Sequence, residues 1–415
     1  MKLDIYTNVL KTEKNFRYIL TANAVSRFGD SLDAIAYSWM VYQLTGSMAW
    51  LSVILGVNMI PTVLFQPLAG ASTEYFNKKR IIVNCDIFRG MTVLFTCVLL
   101  ASGLMKPWHL LVLTFLNSSV EALRIPHGLA VLPQILEKEH YKSAISMDQG
   151  TRRTAELVGM GCAGIIVGGI GVGGALFVDA LTFLVSGWLL SCLKIPENRD
   201  KKKRFQVRTY LYSLKEGFAY FRKSDLAMVV CAICVLQNLC TLPIENLRAA
   251  YISEYLGLDV MAMSVGGTAV TVGMILGAFL LPVLSKKVSE KWLLVYGGVL
   301  IGMFYFLYLL VGVVPFTEGR YVCYFVTALF FGILNAMVGV AVQVVFVSRT
   351  PEALVGRIGG IFNALACSSL PIGSFVLAGL TTALSIKELY VVMGFLTMVI
   401  FMLTGQWKGI ANLDE

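Results

Sequence analysis

WLSVILGVNMIPTVLFQPLA, residues 50–69, runs for twenty residues without a charge and leads into GASTEYFNKKR, residues 70–80, which ends on three bases. A helix needs roughly 20 mainly apolar residues to cross about 30 Å of hydrocarbon. The first stretch therefore has the build of one membrane crossing, and the second the charge expected where a crossing meets the inner surface. Working outward, twelve stretches qualify: 16–43, 50–69, 81–104, 108–124, 154–170, 172–193, 226–252, 262–284, 292–313, 321–347, 358–384 and 389–407. Their apolar runs are continuous rather than alternating, which excludes a closed barrel. With 57% hydrophobic and 14% charged residues and a mean hydropathy of +0.74, the chain is too apolar for a soluble fold, which averages about 45–50% and about 25%.

With the N-terminus placed inside, 28 of the 34 lysines and arginines fall on the inner side. Lys106, Arg320 and Lys387 lie in outer loops, and Arg27, Arg89 and Arg248 lie within spans. This asymmetry predicts both termini in the cytoplasm. It also accounts for the net charge of +9 through lipid headgroups rather than nucleic acid. The longest inner loop divides the chain into residues 1–193, a linker 194–225 and residues 226–415. The linker begins KIPENRDKKKRF and continues as YLYSLKEGFAYF, whose pattern predicts an amphipathic helix on the membrane surface. The halves echo each other. Lys78, Lys79 and Arg80 follow span two as Lys286 and Lys287 follow span eight; Arg153 precedes span five as Arg357 precedes span eleven. The expected fold is thus all-α, with twelve transmembrane helices in two pseudo-symmetric six-helix bundles, the build of a transporter with its site near the midplane.

Several chemistries are disfavoured. The nine cysteines are scattered through apolar runs, where they serve as small buried side chains. Three histidines offer no metal cluster, and no cofactor is implied. The polar N-terminus has neither the apolar core nor the cleavage site of a signal peptide. No GxxxxGK[ST], HExxH or Ser-His-Asp arrangement supports an ATPase or another enzyme. GMGCAG in span five formally matches GxGxxG, but an apolar helix surrounds it. Gly159, Gly161, Gly164 and Gly168 are instead expected to let helices approach closely.

Several motifs occur in a telling order: NFRYILTANAVSRFGDSLDAIAYSWMVYQLTGS over the first span, GASTEYFNKKR after the second, DIFRG opening the third, FVDALTFL in the sixth and TPEALVGRIGG in the last inner loop. In these the chain resembles the major facilitator superfamily, specifically its macrolide-efflux-like and siderophore-exporter-like branch, over nearly its whole length. It departs from the superfamily's GxxxDRxGRR loop at Glu74, Tyr75 and Asn77, and Met160 stands where many antiporters have the proline of GPxxxG.

Ionisable groups at membrane depth cost several kcal/mol and call for a reason. Asp30 and Asp33 lie near one face of span one, which the resemblance makes a cavity helix; they are expected to bind a proton or a cationic substrate, unless Arg27 and Asp30 form a structural pair. Glu121 and Arg124 in span four, also a cavity helix by resemblance, are one turn apart and can either pair or serve substrate; Glu245 and Arg248 repeat the pattern in span seven and suit an outer gate or substrate contact, the alternative being an ordinary charged helix end at the interface. Pro243 is expected to break the helix beside the latter pair. Asp86 and Arg89 are expected to pair internally, and Asp179, alone in lipid, to be protonated or, the favoured reading, bonded to a neighbouring helix. The loop from Gly70 to Arg80 reads as a latch: Gly70 permits a tight exit, Glu74 meets the positive end of span eleven near Gly356 and Arg357, and Lys78, Lys79 and Arg80 pair across the inner face; the alternative is topogenic charge alone. Polar residues such as Asn23, Asn58, Asn117 and Gln237 are sparse among many aromatic and methionine side chains, which favours amphipathic substrates.

The expected function is therefore proton-coupled export of an amphipathic, drug- or siderophore-like small molecule by alternating access. Its direction is implied by the resemblance. The partners are substrate, protons and membrane lipids, and the protein is expected to be a monomer in the cell membrane. The alternatives are a lipid or lysolipid transporter and, from another class, a non-transporting receptor.

Overall fold

A computed structural model describes residues 10, 12–73, 76–137, 140–195, 225–284, 288–349 and 352–407. The amphipathic stretch of the linker lies outside the described residues. In chain order the helices are α1 (Lys14–Thr45), α2 (Met48–Ser72), α3 (Lys78–Ala101), α4 (Pro107–Ile135), α5 (Tyr141–Ser191), α6 (Asp225–Asn246), α7 (Arg248–Ala250), a π turn (Tyr251–Tyr255), α8 (Val260–Leu284), α9 (Glu290–Val311), α10 (Thr317–Arg349), α11 (Glu352–Leu380) and α12 (Ile386–Thr404). No strand occurs among the described residues. In hydrocarbon only a helix satisfies its own backbone polar groups, so the apolar runs have no other stable form.

Nine helical segments among the described residues are long and apolar enough to cross a membrane. One of them, within α5, is interrupted at Gly171, whose φ of +76° belongs to the left-handed region that favours glycine. That break falls where the expected fifth and sixth spans meet. Helices α1 and α4 have the length to cross, at 32 and 29 residues, but are less apolar. The groups that lower their hydropathy, Asp30, Asp33, Glu121 and Arg124 among them, are those discussed as a site below. Helix α4 also runs on through Pro126 and Pro133, past the expected end at 124. Ends in water are capped locally. The Asn77 side chain accepts from the Arg80 amide at the start of α3, and Ser385 with Glu388 forms a capping box on α12.

The chain divides into two compact units, residues 1–45 with 57–206, and 46–56 with 207–415. In the first, α5 packs along α1 and α3, and α3 along α4; in the second, α8 lies on α10 and α9 on α12. Large apolar side chains face outward, such as Phe279 (76% exposed) and Trp188 (65%), while Asp86, Asp179 and His127 are fully enclosed. That inversion of the soluble pattern is what a lipid surround requires.

Close helix contact in the second unit depends on glycine. A Cβ at Gly273 or Gly277 of α8 would strike the backbone of α10 at Leu329 or Ile333, and one at Gly332 of α10 would strike the backbone of α8 at Val270. Gly277→Val is therefore expected to force these helices apart at a cost of about 1–3 kcal/mol or more. This will appear as a lower unfolding temperature in detergent; an unchanged temperature contradicts the contact.

Candidate functional site: a buried charge network in the first unit

Helices α1, α3, α4 and α5 bring their ionisable groups together across the first unit. Arg124 of α4 donates to both oxygens of Asp86 on α3, at 2.5 and 3.2 Å, and to Asn23 Oδ1 on α1 at 3.1 Å. Ser186 of α5 donates to Asp86 Oδ2 at 2.6 Å. Asn23 donates in turn to Asp148 of α5 (2.8 Å), which also accepts from Arg152 (2.8 Å). Hydrogen bonds thus run continuously from Ser186 to Arg152. A buried ion pair satisfied to this degree holds helices in register, because removing either partner strands a charge.

Arg89 of α3 is the centre of a second group. Its guanidinium donates to Asp30 of α1 at 2.8 Å and to Asn117 of α4 at 3.1 Å, and lies 3.6 Å from Glu121. It also stacks over the Phe183 ring of α5, 4.2 Å from the centroid. A third group joins Arg27 of α1 to Glu156 of α5 (2.9 Å), which Arg153 also reaches (3.0 Å).

This geometry corrects one expected pair and removes two alternatives. Arg27 pairs with Glu156 rather than Asp30; Asp86 and Arg89 do not pair with each other; and neither do Glu121 and Arg124. The physical reason is common to all. Groups one turn apart on one helix can meet, but a guanidinium with five donors gains more by reaching a carboxylate on a facing helix, where it also holds the bundle together. Asp179 is corrected as well. Among the described residues it makes no bond to a neighbouring helix: its Oδ1 lies 3.4 Å from the hydroxyl of its own Thr182, and its Oδ2 has no hydrogen-bond partner. Asp33 is given no hydrogen bond or ion pair among the described residues, although Asp30 and Arg89 act on it electrostatically. In the second unit Glu245 and Arg248 do pair across one turn. The helix breaks between them, at Leu247, with φ −97° and ψ 11°.

Gly159 packs as expected: a Cβ there would sit 2.7 Å from the Phe28 carbonyl oxygen and 2.9 Å from Ser31 Cβ on α1. Gly164 is buried and Gly161 half-buried. Gly168 is a correction, since a Cβ there meets nothing within 4 Å. It follows Gly159 by nine residues, about two and a half helical turns, so the two point to opposite sides. Gly70 is another correction, because α2 continues to Ser72 and the chain leaves the helix at Thr73. Lys78, Lys79 and Arg80 occupy the first turn of α3, with no ion pair among the described residues. Cations at the positive end of a helix gain nothing from its dipole, so another force must place them there. Glu74 lies outside the described residues, and Gly356 and Arg357 fall within the helical backbone of α11.

Asp148 and Glu156 have no counterpart among the sequence candidates, because both fall before or at the edge of the expected fifth span. Their signal is present in the sequence: Asp148, Arg152 and Glu156 recur every four residues, along one face of a helix. The second unit holds a further set that spacing does not reveal. Tyr251 stacks on Tyr390 (5.3 Å between centroids) and meets Tyr308 edge-on (5.6 Å). Arg248 lies near Tyr308, Tyr324 and Tyr390, which come from three different helices. An apolar cavity of about 860 Å³ lies among α6, α11 and α12 of the same unit, lined by side chains such as Val235, Leu239 and Ile372.

An all-helical, lipid-facing chain with charges bonded to one another at membrane depth has the build of a multi-pass transporter. The chain belongs to the Major Facilitator Superfamily, whose family model matches residues 19–374. It is a transporter and not an enzyme. It is 22% identical over 414 residues to the uncharacterized MFS-type transporter YkuC of Bacillus subtilis, covering 96% of this chain and 92% of that protein. It is 21% identical to the multidrug efflux pump Tap of Mycobacterium tuberculosis, over 88% of this chain and 86% of the pump. Among solved structures it is similar to the nucleoside transporter NupG, with a TM-score of 0.73 at 11% identity over 95% of this chain and all of that one. It is also similar to a bacterial homologue of the iron transporter ferroportin in an inward-facing state, with a TM-score of 0.71 at 15% identity over 95% and 99% of the two chains.

Proposed function

We propose that the chain exports an amphipathic, cationic small molecule in exchange for protons, by alternating access of two helical bundles in the cell membrane, as a monomer with both termini in the cytoplasm. One observation carries this. The network in the first unit contains seven carboxyl groups (Asp30, Asp33, Asp86, Glu121, Asp148, Glu156 and Asp179) and five guanidinium groups (Arg27, Arg89, Arg124, Arg152 and Arg153). Asp33 and Asp179 are the two carboxyls that no guanidinium bonds. A surplus of acid at membrane depth is neutralised by protons or by a cationic guest, and mutual exclusion of the two is the linkage that drives antiport. The likeness to a protein named as a multidrug efflux pump supports the direction and the substrate class, as do the motifs shared with macrolide-efflux-like and siderophore-exporter-like proteins. Glu245 and Arg248, beside a helix break, serve as a second polar contact for substrate. Lys78, Lys79 and Arg80, at the start of α3, serve an inner latch.

The test is a flux assay in proteoliposomes, with a panel of lipophilic cations, macrolides and siderophores and an imposed pH gradient. Accumulation of at least one cationic amphiphile against its own gradient, abolished when the pH gradient is collapsed, is the expected result. Transport that survives collapse favours the second reading, a lipid or lysolipid transporter, for which the apolar cavity among α6, α11 and α12 is suited to an acyl chain.

A further inference from the structure

Asp179 is 0% exposed. The backbone of α1 presses on it at Gly29, where a Cβ would collide with the carboxyl and with Thr182. The Thr182 hydroxyl gives its shorter bond, 2.7 Å, to the Asp179 carbonyl, which leaves only the 3.4 Å contact for Oδ1 and nothing for Oδ2. An ionised carboxylate in that position forfeits several kcal/mol of solvation without return. A proton on Oδ2 removes the charge.

The groups whose charges act on Asp179 are Asp30 and Asp33 from α1 and Arg89 from α3, Cys97 of α3 lies within range of its charge, and Thr182 of its own helix touches it. Arg89 is the one cation among them. It is held by Asp30, Asn117 and Glu121, yet its guanidinium sits over the ring of Phe183, four residues from Asp179 and therefore one turn along the same face of α5. Arg89 is thus bonded to Asp30 and packed on the face of α5 that carries Asp179.

Building on the proton-coupled function above, we propose that Asp179 holds the exchanged proton, and that its loss draws Arg89 from Asp30 to Asp179, which frees Asp30 and Asp33 for a cationic substrate. The step balances: the O–H bond of Asp179 breaks and the proton leaves, the hydrogen bond from Arg89 to Asp30 breaks, one from Arg89 to Asp179 forms, and no electrons are exchanged. Reprotonation returns Arg89 to Asp30 and expels the substrate. Proton and substrate exclude each other although they bind different carboxyls.

Infrared spectroscopy of the purified protein in lipid tests this, because a neutral carboxylic acid has a carbonyl stretch that a carboxylate lacks. At neutral pH the wild type and Asp33→Asn are expected to show the band, and Asp179→Asn, made in the Asp33→Asn background so that Asp33 cannot contribute, to lack it. Labelling wild-type aspartate with a heavy carbon isotope must shift the band, which keeps the assignment testable whether or not Asp179→Asn folds. A second arm measures binding of tetraphenylphosphonium: affinity is expected to fall about tenfold on acidification in the wild type and to be independent of pH in Asp179→Asn. No band, a band that ignores the label, a band retained in the double variant, or a wild-type pH profile in Asp179→Asn overturns the assignment. Proton-coupled export itself fails separately, if the wild type accumulates nothing under a pH gradient while the band behaves as stated.

Discussion

Arg89→Gln is expected to abolish transport and to destabilise the first unit by about 3–5 kcal/mol, the range for a buried ion pair that loses one partner. Arg89 is almost fully enclosed, with 5% of its side chain exposed, and one guanidinium serves Asp30, Asn117, Glu121 and the Phe183 ring. Glutamine is shorter, uncharged and has two donors in place of five, so Asp30 and Glu121 lose their charged partner. Arg89→Lys restores the charge but not the fork, and is expected to recover part of the stability and little of the transport. Thermal unfolding in detergent, followed alongside flux, checks both. An Arg89→Gln protein that unfolds at the wild-type temperature contradicts the central place given to this residue.

The second large effect is expected at Asp30. Asp30→Asn leaves an oxygen that can accept from Arg89 in the 2.8 Å position. The helix contact is therefore retained and the protein folds, as circular dichroism and gel filtration will show. The charge is gone, however, and with it the acid that the exchange of Arg89 exposes to substrate. Uphill accumulation driven by a pH gradient is expected to disappear. Asp30→Glu, which keeps the charge on a longer arm, is expected to retain measurable activity. Full gradient-driven transport by Asp30→Asn rejects a coupling role for this residue.

How far the sequence carries the fold and the site can be seen at individual residues. The crossings are legible because lipid imposes one rule, a long apolar run, and Gly171 marks a helix break that appears in the sequence as the join between two such runs. The ion pairs are not legible. Spacing along one helix places Asp86 beside Arg89 and Glu121 beside Arg124, but each finds its partner on another helix, and the identity of the facing helix is a tertiary fact. Glu245 and Arg248 pair as their spacing predicts, on the short segment between a break and a π turn. Glu156 shows the cost of reading by hydropathy alone. It sits just inside the start of an expected span, among arginines that resemble inner-surface charge, yet its carboxylate is the partner of Arg27. Asp179 shows the converse. Its sequence neighbours, FVDALTFL, mark a buried helix correctly, but only the packing of Gly29 against the carboxyl reveals that the group has nothing to bond.

The most direct test of the account is to follow protons and substrate together. Proteoliposomes that contain a pH indicator, with no imposed gradient, are given a transported cationic amphiphile on one side only. Substrate moving down its gradient is expected to drive protons the opposite way in the wild type, and to drive none in Asp30→Asn. Substrate flux in the wild type with no accompanying change in internal pH contradicts the exchange of protons for substrate on which the account rests.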